Sequence, residues 1–239
     1  MTIFLIALIN AFSAFIQAAS GLGYAIFAMF FMPMIIPFQQ CSVISAAVIV
    51  VIGIQMTISL HSHIKFKKII IPMAFCLMTT WVGIYIIRVT DAHKMRIIMG
   101  IFLILLTIYF YITNKFNIRM RAGLATDVTI GLLTGLTTGM FNIVGPLLSL
   151  YYYDNCEDSL EFKANIEFSF LIAGIYSLSL NLIYVKLDPF LIKAIGFSAI
   201  GTIFAGIIGL HLFKKIDKTK LKYVIIGVLP IMGLILIFK

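Results

Sequence analysis

The stretch FIQAASGLGYAIFAMFFMP, residues 15–33, lies within 64 opening residues that contain no Asp, Glu, Lys or Arg. Such a run reads as membrane-embedded, since about 20 consecutive apolar residues cross a bilayer as one helix. Midway, however, come Gln17, Ser20, Gly21 and Gly23. A helix in hydrocarbon is interrupted only where protein or a wet cavity surrounds the exposed backbone, so the break predicts a cavity. A second helix starting at Tyr24 would present unpaired first-turn N–H groups and the positive end of its dipole to that cavity.

The whole chain agrees with the stretch. Of its 239 residues, 62% are hydrophobic and 11% charged, and the mean hydropathy is +1.12. A soluble domain carries about 25% charged residues, so the deficit marks a polytopic membrane protein. The net charge of +9 sits in short clusters between apolar segments, where membrane orientation accounts for it and nucleic-acid binding does not. No basic n-region precedes the first apolar segment, so no cleaved signal peptide is expected. Cys41, Cys76 and Cys156 fall in no metal-ligand spacing and read as packing residues.

Apolar segments run over 3–19, 24–38, 42–60, 69–87 and 95–112, then 128–145, 146–153, 164–185, 191–213 and 222–238. Segments 24–38 and 146–153 are too short to cross and read as half-helices. They occupy equivalent places in two halves. DAHKMR at 91–96 returns as DKTKLK at 217–222, Gly83 and Arg88 match Gly209 and Lys214, and QAASGLGY at 17–24 lies against GMFNIVGP at 139–146. The organisation is therefore a first membrane repeat over 1–112, a basic cytoplasmic linker over 113–127 and a second membrane repeat over 128–239.

Basic-residue counting favours inverted copies. With the loop at 61–68 cytoplasmic, alternation puts twelve of the 18 Lys and Arg inside and six outside. Parallel copies give a nearly even split. The expected fold is thus all-α and polytopic, with two inverted-topology repeats, each opening with a broken or re-entrant helix, and about 8–10 transmembrane segments. Both termini lie outside in this scheme.

Two half-helix N-termini converging from opposite faces would make a mid-membrane site that favours an anion. The candidate substrate-binding residues are Gln17, Ser20, Gly21 and Gly23 in the first half, with Thr138, Gly139, Asn142, Gly145 and Pro146 in the second. Glycines admit a ligand's oxygens to the backbone, the polar side chains add donors, and Pro146 suits a first helical position. Close helix packing is the competing use of small residues. It claims the rows Gly131, Gly135, Gly139 and Gly201, Ala205, Gly209, with Gly139 open to both roles.

Ser20-Gly-Leu-Gly23 followed by Pro33, then Gly131-Leu-Leu-Thr-Gly135 and Asn142-Ile-Val-Gly-Pro146, resemble the glycine-rich broken openings of the TauE/SafE sulfite exporter family, as does the duplicated layout. Tyr24 and Pro146 interrupt the fuller glycine runs of that family. The resemblance implies a bacterial inner-membrane carrier, an exporter of small sulfur-containing anions such as sulfite, sulfonates or sulfoacetate, driven by a proton or sodium gradient. A passive anion channel, or a carrier of another small organic anion, would share the architecture.

Other chemistry is sparse. Glu167, one turn into the segment 164–185, is a candidate for a coupling proton, with an interfacial place beside Lys163 as the alternative. Asp127 reads as an N-cap; Asp154, Glu157, Asp158 and Glu161 read as a solvated acidic loop. His61-Ser-His63 has no acidic or thiol neighbour to complete a metal site, and Gln55, Tyr176 and Asn181 either line a pathway or bond across helices. No catalytic or nucleotide motif occurs, so neither enzyme activity nor a cofactor is expected, and the partners are the anion, its coupling ion and lipid.

Overall fold

The computed structural model describes residues 1–20, 23–116, 119–213 and 218–238, with the last residue of the ninth helix and the first nine of the tenth described by backbone alone. Among them are ten α-helices. The first half holds α1 (Thr2–Ser20), α2 (Tyr24–Phe31), α3 (Phe38–Leu60), α4 (Phe66–Val89) and α5 (Ala92–Lys115). The second holds α6 (Leu124–Phe141), α7 (Gly145–Asn155), α8 (Ser159–Tyr184), α9 (Pro189–Phe213) and α10 (Lys218–Phe238). Seven of these, α1, α3, α4, α5, α6, α8 and α9, are long and apolar enough to cross a membrane. The protein is therefore an all-helical polytopic membrane protein. Gly21, and Lys214 and Asp217 of the repeat match, lie outside the described residues.

Local chemistry explains where the helices stop. The Asp91 carboxylate accepts from the Lys94 amide at 2.9 Å and caps α5. The Asp158 carboxylate accepts from the Leu160 and Glu161 amides at 2.7 and 2.8 Å and caps α8. The Glu161 amide bond, supported by that of Leu160, holds the Asp158 carboxyl below the usual carboxylate range. Two expectations are corrected here. Asp127 does not cap α6: Gly123 is the N-cap, and Asp127 is buried in the helix, beside Tyr151. Glu161 is not solvated either; it is buried and pairs with Lys68 at 2.7 Å, because α8 brings it under the start of α4.

The broken openings are hairpins. Gly23 lies by Ile16, Phe27 by Phe12 and Met32 by Asn10, so α2 runs back along α1. Likewise the end of α7 returns to the start of α6: the Met120 amide donates to Asp154 at 2.7 Å, and the Ala122 amide to Asn155 at 2.9 Å.

Packing between the halves is reciprocal. Helix α1 packs along α9, and α6, its equivalent, along α4, the equivalent of α9; α3 packs on α8, and α5 on α10. The first two interfaces are the small-residue rows expected from sequence. A Cβ added at Gly131, Gly135 or Gly139 would meet the carbonyl oxygens of Pro72, Cys76 and Thr80 in α4, so these helices touch backbone to backbone. In the matching interface Gly201 faces Ala11 and Gly209 faces Ala18. Gly53 of α3 receives Leu171 of α8, while Gly174 of α8 receives Ile49 of α3, each added Cβ coming within 2.8 Å. As residue numbers rise along α3 they fall along α8, so this pair is antiparallel. Gln55 also bonds across helices, donating to the Ile203 carbonyl of α9 at 3.1 Å.

Substitution at the α4–α6 interface tests this packing. Gly135→Leu is expected to cost about 3 kcal/mol or more through overpacking against backbone, seen as a lower Tm in detergent. Gly196→Ala, where no atom lies within 4 Å of the added Cβ, should leave Tm unchanged or slightly raised.

Candidate functional site

Breaking a helix inside a membrane requires a residue that tolerates the reversal and a partner for each freed backbone group. In the first half the reversal falls on Gly23, whose φ of 110° only glycine adopts without strain. In the second it falls on Asn142, at φ 54° in the left-handed region, where Asn is among the few tolerated side chains. Asn142 Nδ2 donates to the Ser42 carbonyl and hydroxyl of α3 at 3.0 and 3.2 Å. Its Oδ1 accepts from Ser177 Oγ of α8 at 2.7 Å. Ser177 in turn accepts from Asn181. The Thr137 hydroxyl closes the turn by donating to the Ile143 carbonyl at 2.8 Å.

The two tips meet at one narrow cavity, whose free volume of about 10 Å³ is room for about a single water molecule. It is lined by Gln17 and residues 23–26 from the first hairpin, by residues 142–146 from the second, and by Ile49 of α3 and Phe170 of α8. Ile49 is the central residue of α3, and Phe170 is near the middle of α8, so the cavity sits halfway along the crossing helices. Every lining residue is buried. Neither α2 nor α7 has a side-chain cap at its N-terminus. Their first-turn amides, together with the dipole of each helix, are directed at this space. Helix α7 begins at Gly145, one residue before the start expected from sequence; Pro146 still lies in the first turn, where its missing N–H removes no helical bond.

Of the sequence candidates, Gln17, Gly23, Asn142, Gly145 and Pro146 line the cavity together. Ser20 donates to the Ile16 carbonyl at 2.6 Å, Thr138 to the Thr134 carbonyl at 2.7 Å, and Gly139 abuts α4 at Thr80 and Gly83. These three support the hairpins from outside the lining.

Glu167 is placed differently from its interfacial reading. Both it and Lys163 have side chains 0% exposed, and they pair at 2.7 Å. Gln17 joins them to the cavity: its Nε2 donates to Glu167 Oε2 at 3.0 Å, and its carbonyl oxygen accepts from Lys163 Nζ at 2.9 Å. That carbonyl is one of the last four of α1, which a helix leaves unpaired, so an ammonium there suits both the bond and the dipole. Ser42, Ser177 and Lys163 are the members that sequence reasoning missed. The i,i+4 spacing to Glu167 was the visible signal for Lys163; nothing local marks the two serines.

Comparison with known proteins gives one result: the Sulfite exporter TauE/SafE family matches residues 5–236. No curated protein and no solved structure gave a significant match.

The Asn142 clamp gives an ordered expectation. Asn142→Ala leaves buried Ser42 and Ser177 groups without their partner, a cost of about 2 kcal/mol, and adds left-handed strain that Asn142→Gly avoids. Tm in detergent should therefore fall in the order wild type, Asn142→Gly, Asn142→Ala. Equal values for the two variants would remove the strain argument.

Proposed function

The chain belongs to the sulfite exporter TauE/SafE family, and from that premise we propose that it carries a small sulfur-containing anion, sulfite or a short sulfonate such as sulfoacetate, across a bacterial inner membrane by alternating access. The observation that carries this reading is the pair of uncapped helix starts facing one buried cavity at mid-membrane. Amide groups and helix dipoles favour a negative guest without a fixed positive charge in the lining.

Inverted repeats are what alternating access needs, and the packing supports them. Equivalent helices α3 and α8 run antiparallel. Each half also has a hairpin, which returns to its own side, followed by three long helices, an odd number of crossings that starts the second half from the opposite face. Burial of all the lining residues favours a carrier in an occluded state over an open channel. We place both termini outside, which leaves the larger share of Lys and Arg in cytoplasmic loops, and take export as the working direction.

Purified protein in vesicles, offered labelled sulfite, sulfoacetate and methanesulfonate, tests the reading. Saturable, anion-selective flux with counterflow is expected; flux that never exceeds equilibration and lacks counterflow would indicate a channel, and no flux of any of them would end the proposal. Gln17→Ala should lower kcat/KM about tenfold, the effect of losing one hydrogen bond to a charged group. Gly23→Val, strained at φ 110°, should abolish flux.

A further inference from the structure

The cavity lining carries no charged side chain, yet Lys163 and Glu167 lie directly behind it, fully buried. We propose that Glu167 is a proton site linked to the anion site, so that one proton travels with each monovalent anion. This rests on the transport reading above and adds its coupling ion and the residue that holds it.

As it stands the pair is neutral overall, which is the form in which two buried charges are tolerated. Gln17 touches all three parties: it lines the cavity, donates to the Glu167 carboxylate and accepts from the Lys163 ammonium. An anion in the cavity therefore sits one side chain away from the carboxylate, in a buried region where charges are weakly screened. A proton on Glu167 removes that repulsion and leaves the Lys163 charge to act on the anion. The protonated site prefers the anion, and by reciprocity the occupied site prefers the proton.

Among the described residues, the other titratable and charged groups on the elements packed against α8 are exposed, paired or neutral in character: His61 and Lys65 of the turn after α3 are exposed and His63 half-buried, and Asp154 of α7 is exposed and accepts from the Met120 amide. Cys41 of α3, Cys76 of α4 and Tyr151 and Tyr152 of α7 are buried thiols and phenols. Lys68 is taken by Glu161, Lys67 and Arg88 are exposed at the two ends of α4, and Asp127 of α6 lies beside Tyr151. Helices α1 and α2 contain no charged residue.

The proton is taken from the aqueous phase that the site faces and released with the anion on the other side; no bond but the O–H of the carboxyl forms or breaks. The sign follows. Because a proton binds together with the anion, raising the pH weakens anion binding, and KM rises by up to about tenfold per pH unit. An inward proton gradient opposes export through such co-transport, so export runs only where the anion's own outward gradient exceeds it.

The test uses vesicles containing full-length protein and a lumenal pH dye, with labelled sulfite, sulfoacetate and methanesulfonate. The pH series uses a sulfonate, whose charge does not change with pH. Wild-type entry of methanesulfonate should acidify the lumen by one proton per anion. Glu167→Gln should keep anion exchange, lose the proton signal and have a KM that no longer depends on pH. Anion entry without lumenal acidification overturns the inference and leaves the transport reading intact, as does Glu167→Gln that stays coupled. If no anion moves, the transport reading fails and this inference fails with it. The wild-type stoichiometry decides the matter even if the variant does not fold.

Discussion

A hydrocarbon phase offers no water to pair with a backbone amide or carbonyl, and that constraint governs where this chain is irregular. The α1–α2 and α6–α7 reversals lie deep in the molecule, each held by side chains from elsewhere in the fold. At the first, a buried ammonium reaches a carbonyl at the end of α1. At the second, an asparagine is tied to hydroxyls on α3 and α8 while its own backbone makes the turn. The start of each following helix has no side-chain cap, and both starts face the same space. The proposed ligand site thus lies where the described hairpins leave backbone amides to a guest.

The two halves solve it with different chemistry. The first reversal rests on an ion pair and a glutamine, the second on neutral amides and hydroxyls. Halves that pack so reciprocally need not be alike at the centre. Under the proposed coupling, one side of the site would respond to protons while the other keeps its shape, an asymmetry that a single titrating residue requires.

The breaks were legible in the sequence because glycine, serine and glutamine stand out in a run of 64 residues without charge. The i,i+4 rows of small residues likewise announced the α4–α6 and α1–α9 contacts. Depth was not legible. Lys163 and Glu167 fall near the start of an apolar segment, where charged residues are ordinarily interfacial, and only the packing of α8 carries them inside. Ser42 is one serine in an apolar stretch, and nothing local marks it as the partner of a residue 100 positions away. Asn142 was noticed as a donor, but its conformation and its three bonds make it a clamp for the turn. Side-chain identity pointed to the place, and the backbone angle decided the role.

The glycine contacts between α6 and α4, and the close fit of α1 on α9, have a mechanical meaning. Helices that touch through backbone atoms have no flexible side chains with which to slide, so each such pair behaves as one stiff beam. Both beams join an arm from one half of the gene to an arm from the other. Under the alternating access proposed above, the pieces that rock would be not the two halves of the chain but two cross-braced units, with the joint between them at the antiparallel crossing of α3 and α8, beside the cavity.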